Sequence, residues 1–450
     1  MSSISDRIMP TVVGAGLFAS LTATVALCTQ ATPPIHEIRV LTAEQAEILS
    51  HMSIVYLDDG LGGTVKTIEI TGANVRIVNG LGATNGYTPD VDAVDPRLTV
   101  VNGLGNLIIG YNEPGNPFGD DRSGSHNLVV GHGNSFESFG GIVGSRDNTT
   151  SGPFASVTGG TGNRASGAGA SVSAGTSNTA AGAASTVGGG QFNTATGIYS
   201  SIGGGHYNTA VGTRSSISAG LSNIASAETS SVSGGYNNTA AGVSSSVSGG
   251  RLNIANGTYS SVSGGYYNAA VGITSSVSAG RTNVASGDNS AVSGGKDNSA
   301  IGIASAISGG LDSSASGDYS SVSGGSTAQA SGRAASVSGG YNNIACGNLS
   351  SITGGERQEA SGYFSSISGG ANNTASTYHA SVSGGQSNQA TERWSSISGG
   401  RSNVVSGTWG SISGGRDNTA GGYYSSVSGG WSRSAMGAND WAAGSLFESN

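Results

Sequence analysis

Ser231-Val232-Ser233-Gly234-Gly235-Tyr236-Asn237-Asn238-Thr239-Ala240-Ala241-Gly242-Val243-Ser244-Ser245 is followed at once by Ser246-Val247-Ser248-Gly249-Gly250-Arg251-Leu252-Asn253-Ile254-Ala255-Asn256-Gly257-Thr258-Tyr259-Ser260. The second copy keeps the aliphatic, the paired glycines, the asparagine, the alanine and the last glycine, and varies the rest. From Val157 to Val427 a valine or isoleucine returns every fifteen residues, nineteen times without a slip. A glycine stands three residues after each of these. Asparagine usually stands six after, and alanine eight after with Val405 the only exception. A second glycine stands ten after and is missed at Ala227, Thr377 and Glu392. Fixed-period self-similarity of this kind is the signature of a repeat architecture.

Alternation within the unit gives two short strands. In Ser231-Val232-Ser233 the serines face one way and the valine the other, and Asn238-Thr239-Ala240-Ala241 alternates with its alanine on the valine's side. Each strand ends at a glycine, which supplies either a positive φ or room for close backbone approach. Fifteen residues are too few for a helix hairpin and suit one coil of a solenoid. The fold class is therefore all-β: a parallel β-solenoid (β-roll) of 15-residue coils, its core a stack of valine and alanine, with a ladder of asparagine amides along one corner. At about 4.8 Å per coil, nineteen coils make a rod roughly 90 Å long. The 79 glycines and 10% charged residues of the 450-residue chain suggest a disordered linker, but a linker has no reason to hold a β-branched residue at one phase. Collagen is excluded because glycine lacks a three-residue period.

The flanks divide the chain further. Residues 1–31 read as a signal peptide: Arg7, an apolar run from Thr11 to Leu27 and small residues at Thr29 and Ala31 before Thr32-Pro33-Pro34. A retained membrane anchor is the alternative reading of that run. Val25-Ala26-Leu27-Cys28 is similar to a lipoprotein box except for the bulky Leu27. Residues 32–72 read as a small N-terminal α+β cap. A capping box Thr42-Ala43-Glu44-Gln45 opens a helix to about Met52, and strands Ser53 to Leu57 and Thr64 to Ile70 flank the turn Asp58-Asp59-Gly60. Residues 73–141 read as irregular coils with inserted loops, 142–437 as the regular solenoid and 438–450 as a C-terminal tail. With only Cys28 and Cys346, no disulfide framework is available, and Cys346 is expected to be a small buried or half-buried side chain.

The irregular coils hold the only dense polar group, Glu113, Asp120, Asp121, His126, His132 and Glu137, which offers carboxylates and imidazoles for metal binding or acid–base work but no recognisable ligand spacing. Hydrated loop residues account for it equally well, and no catalytic, cofactor-binding or metal-ligating residue is assigned. The net charge of −8 without a basic stripe argues against nucleic acid. Regular surfaces are the more informative feature. Ser216 and Ser218, Ser231 and Ser233, Ser246 and Ser248 form two files of hydroxyls. The opposite strand carries Thr179, Ile224, Thr239, Ile254, Val284 and Ile344. Corners carry Tyr199, Tyr259, Tyr319, Trp394, Trp409 and Tyr424, and the variable pairs Tyr236-Asn237, Tyr266-Tyr267 and Tyr341-Asn342 share one column. Exposed corner rings suit contact with sugars or surfaces.

The unit N-x-A-x-G-x-x-S-S-V-S-G-G, seen at residues 238–250 and, with Ala279 for the first paired glycine, at 268–280, resembles the head repeats of trimeric autotransporter adhesins. The resemblance covers about residues 126–437. It implies a left-handed β-roll, three chains side by side, and binding to matrix proteins or other surfaces, with Ile224, Ile254, Val284 and Ile344 in or near the interface. No heptad stalk or membrane barrel follows the array in this sequence, where many heads also have a second inward aliphatic. The expectation is an exported structural or adhesive solenoid, secreted or on a bacterial cell surface, homo-oligomeric and possessing a glycan or extracellular matrix ligand rather than an enzymatic activity. Two other classes stay open: an ice-binding solenoid using the Ser-x-Ser files, and a saccharide-active enzyme using the loop carboxylates.

Overall fold

A computed structural model describes residues 41–444 and 446–448. The signal-peptide reading lies outside the described residues. The chain divides into two units, Met1–Arg76 and Ile77–Asn450. In the first, helix α1 (Ala43–Ser50) begins at the expected capping box, the Thr42 side chain accepting from the Gln45 amide and the Gln45 side chain accepting in return. It ends at Ser50, not near Met52, because His51 caps it and Met52 already pairs with Ile70. Strands β1 (Met52–Asp58) and β2 (Thr64–Ile70) form the antiparallel hairpin, with Ile54 opposite Ile68.

The second unit is the parallel β-solenoid. Ser231–Val232 lies in register on Ser246–Val247, and Thr239–Ala240 on Ile254–Ala255, each one coil apart. Tyr236 and Arg251 add a parallel bridge between these two sheets, so a coil has three backbone rails where the alternation showed two. The aliphatic, the alanine and the asparagine are buried in coil after coil. So is the residue two before the aliphatic, a serine in most coils, such as Ser245, and Ala155, Ala170, Ala335, Ala380 or Gly410 in the others. The serine hydroxyl donates to the carbonyl three residues back in Ser230 and Ser275, at 2.7 Å in each.

In most other coils, that of Ser245 among them, the serine hydroxyl is buried without a protein partner, and the asparagine carries the organised polar contacts of the interior. The Asn238 amide nitrogen donates to the carbonyls of Gly234 and Gly250, at 2.9 and 3.0 Å, and its oxygen accepts the backbone N–H of Asn253 at 3.0 Å. The expected ladder is therefore present, but most rungs join a side chain to backbone. Each amide satisfies groups that the turn would otherwise leave unpaired. Ser313 and Ala328 interrupt it, while Gln358 reaches far enough to accept from Asn373 at 3.0 Å.

Two 14-residue coils lead into the array, Val129 pairing with Val143 and Val143 with Val157. Where regular coils put alanine, the first of them puts Phe136 and the second Thr150. Residues 438–450 carry further pairing: Trp441–Ala443 joins the sheet beyond Val427, and Leu446–Glu448 turns back on it antiparallel.

Candidate functional site

Of the six loop carboxylates and histidines, Asp120, Asp121 and His126 are held by backbone groups, while His132 lies near Glu113 and Glu137 near Asp121. Asp120 accepts the backbone N–H groups of Asn116 and Gly115, which hold its carboxyl below the usual range. Asp121 accepts from the Ser123 amide at 2.8 Å. Burial, reinforced by the charge of Asp121, pushes Glu137 up. His126 accepts the Asn79 N–H at Nε2 (3.0 Å), leaving Nδ1 to donate to the Thr84 carbonyl at 3.1 Å. His132 lies 3.7 Å from Asp147 and 4.0 Å from Glu113, on the exposed side of the first corner. No group of three metal-ligating side chains gathers among the described residues. Three of the six groups bind backbone, and the described residues here bring together neither a nucleophile with a base nor a set of three metal ligands.

The serine files lie where alternation placed them, the inner one half-buried and the outer one exposed. Both are interrupted: Gly188 and Gly203 remove the outer hydroxyl from two successive coils, and Ala291 and Ala306 the inner one. Cys346 is exposed, contrary to the expectation of a buried or half-buried thiol, because its place follows the inward alanine and faces outward.

The two corners carry the organised chemistry. At the first corner, four residues after the aliphatic, the Arg251 guanidinium lies 5.2 Å from the Tyr236 ring and 5.6 Å from Tyr266, and the Arg281 guanidinium lies 5.6 Å from the same Tyr266 ring. Five residues after the aliphatic, Phe192 and Tyr207 stack at 4.9 Å. These are the variable pairs noted in the sequence. What the sequence did not show is that each pair touches its counterparts one coil away.

At the second corner, twelve residues after the aliphatic, five consecutive coils present one ring each. Phe364 stacks on His379 at 4.8 Å, His379 on Trp394 at 3.9 Å, Trp394 on Trp409 at 4.8 Å and Trp409 on Tyr424 at 5.9 Å, all within 18° of parallel. Tyr363 and Tyr378 make a second, shorter stack beside it at 5.6 Å. His379 is half-buried and the other four rings of the main ladder are exposed. With stacking along the rod, the interior rings cover each other's faces and present their edges to solvent. Trp394, Trp409 and Tyr424 were visible in the sequence as corner aromatics, but Phe364 and His379, which join them into one ladder, were not. Listing the residue twelve after each aliphatic would have found them. The chain matches no protein-family model, and no curated protein shows significant sequence similarity to it.

Proposed function

We propose that the chain is an exported structural or adhesive rod that attaches to surfaces by displaying side chains at its corners. The observation that carries this reading is the exposed ladder from Phe364 to Tyr424, five rings in line on a rigid backbone. Contacts that are individually weak sum along such a line without a deep pocket. The resemblance to trimeric autotransporter heads supports the same use, and with it a homo-oligomer, a trimer, in which the face bearing Ile224, Ile254, Val284 and Ile344 packs against other copies. A secreted or bacterial cell-surface location belongs to the same proposal, as does a glycan or matrix ligand.

Ice binding is disfavoured because both serine files are broken and lack the methyl groups that threonine would supply. Enzymatic use of the loops is disfavoured because Asp120, Asp121 and His126 already bond backbone groups. The test compares surface attachment by the full chain with a variant lacking residues 367–411, three whole coils of the ladder, and one lacking residues 247–261. Attachment should fall steeply in the first and slightly in the second. An activity on a saccharide that survives both deletions and vanishes in Asp121→Ala would replace display with catalysis.

A further inference from the structure

The second-corner column is broken before its ladder begins. Reading along it, Tyr319, Ala334, Leu349 and Phe364 stand in successive coils, so a methyl group occupies the place of a ring. A cleft of about 410 Å³ opens there, lined by Tyr319, Arg333, Ala334, Asn348, Leu349 and Tyr363. Tyr319 and Leu349 are two coil spacings apart, roughly 9.6 Å. Van der Waals contact on both sides of a flat guest takes about 7–8 Å. The gap therefore admits a single ring between the Tyr319 ring and the Leu349 side chain, with about 2 Å to spare for the pucker of a sugar chair.

Its polar edge is specific. Arg333 brings the only charge in the lining, a cation on a chain of net charge −8. Its guanidinium is 5.7 Å from the centre of the Tyr319 ring, and it forms no ion pair among the described residues. Asn348 accepts the Arg333 backbone N–H at 3.0 Å through its side-chain oxygen, which leaves the NH₂ end to donate. The Tyr363 hydroxyl adds a donor and acceptor at the far wall.

We propose that this cleft binds one hexuronate residue of an acidic polysaccharide, its carboxylate on Arg333, a C–H face of its ring against the aromatic wall, and its hydroxyls on Asn348 and Tyr363. A fork of guanidinium donors matches a carboxylate bidentately, and tyrosine supplies a large apolar surface with a polar tip. The proposal deepens the display reading and rests on it for the polymeric nature of the ligand.

Isothermal titration of the full chain with tetragalacturonate, and with the neutral galactose tetrasaccharide as its uncharged counterpart, tests it. One acidic ligand should bind per chain, with the neutral one at least tenfold weaker. Arg333→Gln should lower affinity for the acid at least tenfold, and Ala334→Tyr, which restores the missing ring, should abolish binding. Lys66→Gln, an equal change of charge elsewhere, should leave it unchanged. Arg333 and Lys66 are exposed and Ala334 is half-buried, and melting curves of each variant establish that it folds. No binding of the acid, equal binding of the neutral sugar, displacement by inorganic phosphate at matching concentration, or binding that survives Ala334→Tyr would overturn the assignment. Deleting residues 247–261 leaves the cleft in place, so uronate binding without surface attachment separates failure of the display reading from failure of this one.

Discussion

The two corners of the coil both contain a recurrent glycine, present in every regular coil at the first and in all but three at the second, and they need it for different reasons. At the first, Gly235 has φ +92°, and an added Cβ would lie 2.2 Å from the Gly250 carbonyl oxygen and 2.4 Å from the Asn238 amide. Conformation and space both demand glycine. At the second, Gly242 has no positive φ; its Cβ would lie 2.0 Å from the Gly257 oxygen, so only the stacking distance excludes a side chain. The left-handed residue of that corner comes two places later, at Ser244, Tyr259 or Trp394, where φ is between 55° and 60°. Left-handed geometry costs a non-glycine residue roughly 1–2 kcal/mol. Each such residue is held by an inter-coil bond, as in Tyr259 N–H to the Val243 carbonyl at 2.9 Å, and in the ladder by ring stacking as well. One corner is thus closed by the backbone and the asparagine amides, the other partly by the side chains it displays.

This contrast predicts a graded response. Gly235→Ala should destabilise its coil by about 3 kcal/mol, from strain and clash together. Gly242→Ala should cost only about 1 kcal/mol, because Ala227, Thr377 and Glu392 already occupy the equivalent place in other coils. In those coils the adjustment is visible: regular coils such as Gly242 donate a second bond to the next coil's alanine carbonyl (Ala255, 3.2 Å), and these three do not. Hydrogen exchange around residues 232–257 reads the local change even where neighbouring coils mask it in a melting curve. Equal losses of protection would show that the two glycines do the same job.

Asn268→Ala comes next. It strips the interior of a donor to Gly264 and Gly280 and of the acceptor for the Asn283 N–H. The expected loss is about 2 kcal/mol, the cost of leaving buried backbone groups unpaired. A change below about 0.5 kcal/mol would mean that the first corner is closed by glycine geometry alone.

Smaller still are the outer columns. Trp394→Ala removes stacking on both His379 and Trp409 and should cost about 1–2 kcal/mol, and Tyr266→Ala, which removes two exposed cation–π contacts and an edge-on contact with Tyr267, should cost a comparable amount at the other corner. If Trp394→Ala melts no lower than the unaltered chain, the ladder contributes nothing to closing the second corner. Its rings would then be free of structural duty, which would strengthen the case for display.

How far the sequence reached follows from the same physics. Period and alternation specify the inward valine, alanine and asparagine because burial on one face of a strand tolerates no slip of register. The hairpin was legible because Thr42 with Gln45 and Asp58-Asp59-Gly60 are local signals. Ser245 was missed because the alternation read in the sequence starts at Ser246; one step further back it places Ser245 on the same inward side as Val247. The left-handed role of Tyr259 and Trp394 was missed because bulky residues are the wrong ones to expect there. The Phe364–Tyr424 ladder and the Ala334 gap lie between residues fifteen apart in sequence, and only stacking of coils makes them neighbours. The loop group at Asp120, Asp121 and His126 drew attention as chemistry, and their bonds to backbone amides are decided by loop conformation, which no short pattern encodes.

The smallest effect is a matter of pH, and it separates the corners by charge. The left-handed residue of the first corner is aspartate in three coils, Asp297, Asp312 and Asp417, and aspartate does not occur at the equivalent place in the second corner of the regular array. At Asp297 the Thr282 hydroxyl donates to the carboxylate and, with the adjacent Lys296, holds its pKa below the ordinary value. A carboxyl whose folded pKa is lowered binds its proton more readily when unfolded. Its contribution is therefore complete above the unfolded value of about 3.9 and is lost as pH falls through the lower, folded one. The group is fully exposed, so the contribution is small and screened by salt. Melts of the full chain and of Asp297→Asn should differ slightly at pH 7, with the variant lower, and converge once the pH drops well below the ordinary carboxylate range. A difference that persisted unchanged at pH 2, or grew there, would show that the aspartate acts through its left-handed backbone conformation and not its charge, making the two corners alike in this respect.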